Sequence, residues 1–178
     1  MKMGNVEVEC VKGNIVEQHD IEAVVNAANA MLKPGGGVAG AIHKAAGPGL
    51  YQECKPLAPI KTGEAVITSG HMLPNAYVIH ALGPVYAAEE DPAAKLAETY
   101  RNCLLLADEK GIKSIAFPAI STGIFGYPME DAARVAFETI KETAPKLKNL
   151  KLIRFVLFAQ QDYQVHQRVM EEVVGKGA

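Results

Sequence analysis

The 178-residue chain lacks tryptophan and contains only three cysteines, Cys10, Cys54 and Cys103. The cysteines are odd in number and far apart, and no CxxC pair or Cys/His cluster accompanies them. The sequence therefore indicates neither a zinc site nor a disulfide framework. We expect no bound metal, cysteines that only fill the core, and a reducing, cytoplasmic location.

Long apolar runs and an excess of basic charge are also missing. No stretch approaches the ~18 apolar residues that span a bilayer, and the first residues contain no apolar segment of signal-peptide length. The 18 basic and 20 acidic residues give a net charge of −2. This balance argues against a nucleic-acid partner bound through a general basic surface. Because long apolar runs are missing, we also expect no membrane partner.

The apolar pattern alternates between strands and helices, with no linker or internal repeat. Strands are predicted at 6–11, 23–27, 64–69, 76–82, 114–120 and 150–159, and helices at 38–46, 91–111, 129–142 and 164–174. Gly47-Pro48-Gly49 is predicted to stop the first helix. This order predicts an α/β fold in which helices cover both faces of one sheet. We interpret residues 1–178 as a single domain and expect a monomer.

Two glycine-rich loops each follow a predicted strand. The first loop, "KPGGGVAG", spans residues 33–40, and the second loop, "ISTGIFGYP", spans residues 120–128. Glycine loses more backbone freedom on folding than any other residue, so three in a row favour a close approach by a ligand. Because ligands bind beyond the carboxyl ends of strands in such sheets, both loops are expected at the same edge.

The two loops together predict a diphosphate site. A glycine run before a helix presents N–H groups without intrahelical partners, and the helix dipole adds positive charge there. The second loop offers further N–H groups and the hydroxyls of Ser121 and Thr122. Residues 34–40 and 120–128 contain no Lys or Arg; Lys33 is the first residue of the first loop, and Lys44 follows that loop. GxxxxGK[ST] is absent, and although Gly35, Gly37 and Gly40 match the letters of GxGxxG, we do not interpret this loop as the dinucleotide-binding turn. A structural tight turn explains a single glycine-rich loop as readily as a ligand site does, but it does not explain two such loops at strand ends.

The segments "VVNAANAMLKPGGGVAGAIHKAAG" (24–47) and "AFPAISTGIFGYP" (116–128) resemble the macro domain, a module that binds ADP-ribose. "GNI" at 13–15 and "LPNAYVIHALGP" at 73–84 extend the resemblance over nearly the whole chain. It implies a three-layer α/β/α sandwich with a mixed, mostly parallel central sheet. It also implies a cleft for ADP-ribose at the strand ends, with the diphosphate between the two loops and no cofactor.

The resemblance also implies roles for individual residues. Asn29 would hydrogen-bond the distal ribose, the one farther from adenine, and Phe125 would pack beside that ribose; these two are the catalytic candidates. Asn26 is expected to hold the loop together. The remaining contacts to the phosphates and distal ribose would come from Gly36, Gly37, Val38, Ser121, Thr122, Gly123 and Ile124.

The adenine end carries one departure from the family pattern. Phe158 would stack on the base, with an ordinary core phenylalanine as the alternative, and Ile15 would line the pocket. Asn14 stands where many members have an aspartate that accepts from the adenine amino group. The carbonyl oxygen of Asn14 can still accept, but without the charge assistance that roughly doubles the strength of a hydrogen bond. We expect adenine binding with weaker selectivity against hypoxanthine.

The second departure concerns hydrolysis. A hydrolase subgroup has an aspartate, proposed to activate water, where this chain has Ala39. The "GGGVAGA" loop, however, also resembles active viral macro domains. In that subgroup, Asn29 and the substrate's phosphate would position the attacking water. The rate would then come from the placement of this water and from strain at the distal ribose. His43 is interpreted as structural and His80 as buried and neutral. Asp20 and Glu22 precede a strand and should lie far from the ligand.

Three functions follow from these features. The first is an enzyme that cleaves the ester between ADP-ribose and Asp or Glu of mono-ADP-ribosylated proteins, and that deacetylates O-acetyl-ADP-ribose. The second is a reader that binds ADP-ribose or modified proteins without turnover. Asn29, the first loop and Phe125 favour the enzyme, whereas Ala39 favours the reader or a slow enzyme. The third function, binding of poly-ADP-ribose or nucleic acid, has the least support because the chain has more acidic than basic residues.

Overall fold

A computed structural model describes residues 1–175. Within them, strands and helices alternate along most of the chain. The strands are β1 Lys2–Met3, β2 Val6–Lys12, β3 Ala23–Ala27, β4 Ala65–Ser69, β5 Tyr77–Ala81, β6 Ser114–Phe117 and β7 Leu152–Leu157. The helices are α1 Gly37–Ala46, α2 Pro48–Cys54, α3 Pro92–Glu109, α4 Met129–Thr143 and α5 Gln160–Val173. No helix in this part of the chain combines the length and apolar character that a membrane crossing requires.

The strands form one sheet in the order β1-β2-β7-β6-β3-β5-β4. The five central strands run parallel to one another, and β1 and β4 pair antiparallel at the two edges. The prediction of a mixed, mostly parallel sheet is therefore confirmed. The carboxyl ends of β2, β7, β6, β3 and β5 all meet at one edge, where the two glycine-rich loops begin.

Helices cover both faces of this sheet, which confirms the three-layer sandwich. Alternate residues of a strand face opposite sides, so Val25 packs with the buried faces of α3, α4 and α5. Its neighbour Val24 packs with Ile42 of α1 and Leu50 of α2 on the other side. The larger core on the α3–α5 side includes a cluster of Tyr100, Phe117, Phe137 and Phe155, whose ring centroids lie 4.8–6.0 Å apart.

The predicted signals set the start of α3 and the end of α1, with one correction at Gly47-Pro48-Gly49. The Asp91 side chain caps α3 by accepting a 3.1 Å hydrogen bond from the Ala94 N–H, and Pro92 follows it. Gly47, at φ 84°, ends α1. The prediction that Gly47-Pro48-Gly49 simply stops the helix was incomplete, because Pro48 begins α2 at once. Proline suits a first helical position, where its missing N–H would have had no partner.

Three further boundaries differ from the sequence prediction. β6 ends at Phe117 because Pro118 has no N–H to continue the strand pairing. The two-residue edge strand β1 was not predicted, since it is too short to show a pattern. α5 begins at Gln160 rather than at 164, which leaves Phe158 between β7 and α5 and places Asp162 in the first helical turn.

The Asp108 carboxylate anchors the segment that leads into β7. It accepts hydrogen bonds from the backbone N–H groups of Lys148, Asn149 and Leu150, at 2.7 to 3.1 Å. Burial alone would raise the pKa of Asp108, but these three donors outweigh it and hold the pKa below its ordinary value.

We expect Asp108→Asn to lower the free energy of unfolding by about 1–2 kcal/mol at pH 7, because one carboxylate oxygen and its charge are lost. A lowered folded-state pKa stabilises the protein above the ordinary aspartate pKa of about 3.9. The difference between variant and wild type should therefore shrink as the pH falls through the depressed pKa. Urea titrations from pH 7 to pH 3 test this, and a constant difference would contradict it.

Candidate functional site

A cleft of about 700 Å³ opens at the carboxyl edge of the sheet, between the first and second loops. This volume is typical of a site for a cofactor-sized ligand. All twelve residues predicted to bind ligand line it: Asn14, Ile15, Asn29, Gly36, Gly37, Val38, Ser121, Thr122, Gly123, Ile124, Phe125 and Phe158. The strand order places the ends of β2 and β7, with Asn14 and Phe158, at one end of the cleft. The end of β3, which leads to Asn29, lies toward the other.

The first loop presents a row of unpaired backbone donors. Gly36 precedes α1, and the first hydrogen bond of the helix runs from the Gly40 N–H to the Gly36 carbonyl, at 3.1 Å. Consequently the five N–H groups of residues 35–39 have no acceptor among residues 1–175. Gly37 has φ 55°, a conformation that glycine adopts without steric cost. These donors form an anion site of the kind found at helix N-termini.

The second loop faces them with four more free donors. The N–H groups of Ser121, Gly123, Ile124 and Phe125 have no partner in the described chain. The predicted use of both hydroxyls is not supported by the geometry. The Thr122 hydroxyl donates to the Ala119 carbonyl at 2.7 Å, and the Ser121 hydroxyl is buried without a partner. Main-chain N–H groups are thus the principal ligand-facing donors of this loop.

Two glycines allow the loops to pack this closely. A Cβ on Gly40 would overlap the Gly35 carbonyl oxygen, which belongs to the backbone of the first loop. A Cβ on Gly83, which follows β5, would overlap the Ser121 hydroxyl and approach Ile120 Cγ2. Ser121 itself has φ 70°, a strained conformation for a residue with a side chain. The first loop therefore packs closely through its backbone against Gly40, and the second loop packs through the side chains of Ser121 and Ile120 against Gly83.

Asn29 is fixed by its own turn before any ligand arrives. Its amide nitrogen donates to the Lys33 carbonyl at 2.8 Å, and its oxygen accepts from the Lys33 N–H at 2.9 Å. An asparagine amide has two N–H donors and two lone pairs, so one of each remains. The side chain lines the cleft and is held in one orientation with spare capacity for a ribose hydroxyl or a water.

Exposed apolar side chains border the cleft. Phe158 is 83% exposed, so the alternative of a core phenylalanine is wrong. Ile124, at the tip of the second loop, is 99% exposed. Phe125 is half-buried, and its carbonyl accepts a 2.9 Å hydrogen bond from the Tyr86 N–H. Phe158 therefore leaves a bare aromatic face at the β7 end, available for stacking with a planar ring.

Asn14 is already engaged in the local fold. Its side-chain oxygen accepts a 3.1 Å hydrogen bond from the Val16 N–H and thereby caps the short 3₁₀ turn Ile15–Glu17. The remaining lone pair can accept from a ligand, but the unshared polar group of this side chain is the NH₂ donor. The geometry agrees with a weakened acceptor at this end of the cleft.

The cleft contains no base beside Asn29. Ala39 lines it with a buried methyl group, and Asp162, near Phe158, is the one ionisable side chain among the lining residues. His43 is buried outside this cleft, at the edge of a smaller cavity behind the first loop. Burial lowers the pKa of His43 and lowers that of His80 to about 4, so both are neutral at pH 7.

Other polar residues discussed from the sequence lie away from the cleft. Asn26 is buried in β3, and its amide bonds His80 of β5 at 3.1 Å, so it holds two strands together rather than the loop. Asp20 pairs with Arg154 at 2.7 Å, and Glu22 accepts from the Lys113 N–H. The three cysteines are buried and free, and no group of three potential ligands for a metal occurs in residues 1–175.

Several lining residues were not predicted, and Asp162 is the most informative of them. It lies between the predicted strand at 150–159 and the predicted helix at 164–174, and no role was predicted for it. In the structure α5 begins at Gln160, so Asp162 is the third residue of that helix and lies in its first turn. Gly83, Met129 and residues 27–28 and 118–120 also line the cleft, and no sequence pattern identified them.

Comparison with known proteins places this site in a family. The family model described as Macro domain matches residues 25–136. A macro domain-containing protein of Chlorobaculum tepidum (CT2219) is 44% identical over 93% of this chain and 96% of its own length. The ADP-ribose glycohydrolase MACROD2 of Xenopus laevis is 44% identical over 96% of this chain, which spans 41% of that relative.

Solved structures agree with the sequence comparisons. The Oceanobacillus iheyensis macrodomain with ADP superposes with a TM-score of 0.94 at 38% identity, covering 99% of this chain and 96% of the other. The Trypanosoma brucei macrodomain in complex with ADP-ribose gives a TM-score of 0.84 at 36% identity, covering 90% of this chain and 68% of the other. The chain therefore belongs to the macro domain family.

Proposed function

We propose that this protein binds ADP-ribose and hydrolyses the ester that joins ADP-ribose to Asp or Glu side chains of mono-ADP-ribosylated proteins. The observation that carries the proposal is the set of nine unpaired backbone N–H groups, from two facing loops, in a cleft that also holds Asn29. The ADP and ADP-ribose complexes of related macrodomains support the ligand, and the name of the Xenopus relative supports the activity.

The order of groups along the cleft matches the order of groups in ADP-ribose. Phe158 offers a stacking face to adenine at the β7 end, beside Asn14 and Ile15. The two loops hold the diphosphate in the middle with neutral donors, which needs no lysine or arginine. Asn29 and Phe125 then lie beside the distal ribose, whose C1″ carries the ester.

Hydrolysis at this site proceeds without a side-chain base. Water adds at C1″, the C1″–O bond breaks, and the bonding electrons leave with the Asp or Glu carboxylate. The spare amide capacity of Asn29 and an oxygen of the ligand's own phosphate orient the water, and the proton passes to solvent. The acceleration comes mainly from placement, since orienting the reactants removes a large part of the entropic barrier. The acetyl ester of O-acetyl-ADP-ribose, on the same ribose, is a second substrate. There water adds to the acetyl carbon, the bond from that carbon to the ribose oxygen breaks, and acetate and a free ribose hydroxyl are released.

One observation favours a reader of ADP-ribose instead of an enzyme. Ala39 puts a methyl group at the position where related hydrolases have a carboxylate, and the lining residues supply no base in its place. A protein with an intact cradle for the diphosphate and no turnover would still bind mono-ADP-ribosylated partners. The free, buried thiols support a cytoplasmic location for either activity.

The test uses the wild-type protein and a target that has been labelled by its own mono-ADP-ribosylation on acidic residues. We expect the label to leave the target as free ADP-ribose, and an excess of unlabelled ADP-ribose to slow its release. Isothermal titration with ADP-ribose runs in parallel. If the label stays on the target while ADP-ribose binds, the protein is a reader and not an enzyme. The absence of binding heat would refute both functions.

A further inference from the structure

Asp162 is an unpaired carboxylate inside the cleft. It is the third residue of α5 and is half-buried. Its carboxylate makes no hydrogen bond or ion pair with residues 1–175, and only its backbone carbonyl is engaged, with His166 Nδ1 at 2.9 Å. An ionised carboxylate can only accept hydrogen bonds. A ligand group that meets it must therefore be a donor, such as a hydroxyl or an amino group.

The fold places this carboxylate between two parts of the cleft. β2 and β7 pair with Lys12 opposite Leu157, and the Gly13 N–H donates to the Leu157 carbonyl at 2.9 Å. Asn14 and Phe158 are therefore neighbours at the base end. Asp162 lies on α5, on the other face of the sheet from α1.

The second loop approaches Asp162 from the opposite direction. Met129, the first residue of α4, directly follows that loop and lines the cleft together with Asp162. α4 and α5 pack against each other along their lengths. Asp162 thus lies on the helix that follows Phe158, and this helix packs beside the helix that follows the second loop, so the carboxylate is placed to meet the ligand group between the base and the diphosphate. In ADP-ribose the group between base and diphosphate is the adenosine ribose.

We propose that Asp162 accepts hydrogen bonds from the 2′- and 3′-hydroxyls of the adenosine ribose, and that the cleft consequently selects ligands whose 2′-hydroxyl is free. The inference rests on the proposed binding of ADP-ribose. A vicinal diol offers two donors to the two carboxylate oxygens. A 2′-phosphate removes a donor and brings negative charge beside Asp162, and the residues of 1–175 that line the cleft include no cation to offset it. Ligands derived from NADP, or substituted by a further sugar at this hydroxyl, are then disfavoured.

The experiment is isothermal titration of the wild-type protein with ADP-ribose and with its 2′-deoxy and 2′-phospho forms, modified on the adenosine ribose. We expect the 2′-deoxy form to bind about tenfold more weakly and the 2′-phospho form at least 30-fold more weakly than ADP-ribose. Asp162→Ala should abolish the preference for the 2′-hydroxyl. Asp162→Asn, which keeps the shape and removes the charge, should reduce the 2′-phosphate penalty to less than threefold.

Asp131 provides a matched control, because it is the third residue of α4, is exposed and does not line the cleft. Asp131→Ala and Asp131→Asn alter a helix N-terminus in the same way and should keep the wild-type selectivity. Thermal unfolding of all four variants shows that they remain folded at the titration temperature.

Two results would overturn the inference while leaving ADP-ribose binding intact. One is equal affinity of the wild type for ADP-ribose and its 2′-deoxy form. The other is a hypoxanthine analogue that loses affinity only while Asp162 is present, which would assign the carboxylate to the base amino group. If the wild type gave no heat with any of these ligands, the proposed function itself would fail.

Discussion

Replacing Asn29 with alanine should slow the release of ADP-ribose from a modified protein by about 100-fold or more, while the affinity for ADP-ribose falls less than tenfold. The amide is held by two bonds to Lys33 and keeps one donor and one lone pair for the reacting ribose and water. Loss of one preorganised donor of this kind typically lowers kcat by 10²–10³. The diphosphate remains bound by backbone groups, so binding is largely preserved. Single-turnover release and titration calorimetry measure the two quantities.

Lys33→Ala is the control for this variant. Asn29 bonds only the main chain of Lys33, whose side chain is exposed, so truncation of the lysine should leave both quantities near wild type. A rate for Asn29→Ala within threefold of wild type would show that the amide does not position the reaction. An equal loss of affinity and rate would assign it to ground-state binding instead.

The second large effect is expected for Gly40→Ala, which should weaken ADP-ribose binding by at least 100-fold. The added methyl group would overlap the Gly35 carbonyl oxygen and push the first loop away from α1. Hydrogen bonds to a charged group each contribute about 1.5–3 kcal/mol, so misplacing two of the five donors already exceeds 2.7 kcal/mol, a factor of 100. Alanine is also a better helix former than glycine by about 1 kcal/mol, so part of the stability lost through the overlap is regained.

Gly70→Ala separates the loss of binding from a general loss of stability. A Cβ at Gly70 would overlap the Asn75 carbonyl oxygen in the turn that precedes β5, at the opposite end of the sheet from the cleft. We expect this variant to unfold at a lower temperature and to bind ADP-ribose normally while folded. Normal binding by Gly40→Ala would mean that the first loop adapts and that its observed position is not required.

The sequence was sufficient to predict the layers of the fold, because short apolar strands alternate with helical segments along most of the chain. Asp91 and Pro92 fixed the beginning of α3, for example. The predictions were wrong where the stop signal of one helix adjoins the start signal of the next, and where a strand has no local sequence pattern. Gly47 ends one helix and Pro48 begins the next, so a single breaker was inferred where two helices adjoin. The edge strand β1 depends on pairing with β2, which no local pattern reveals.

The cleft was predictable to the extent that main-chain chemistry and the family resemblance specify it. The position of the glycines showed where free donors would be, and all twelve predicted residues line one cavity. The partners of individual side chains could not be inferred. Thr122 and Asn14 looked available for a ligand, yet the first bonds Ala119 and the second caps a turn. Such local competition becomes visible only when backbone coordinates are known.

Because the proposed diphosphate cradle consists of peptide N–H groups, its chemistry is shared by every amino acid except proline. Evolutionary drift at cradle positions such as Ile124, whose side chain is almost fully exposed, can then alter the outer surface without removing a donor. Purifying selection should fall instead on Gly40 and Gly83, where a Cβ would overlap the Gly35 backbone or the side chains of Ser121 and Ile120. The exposed side chains around the cleft can therefore change while the main-chain hydrogen bonds proposed for the phosphates stay the same.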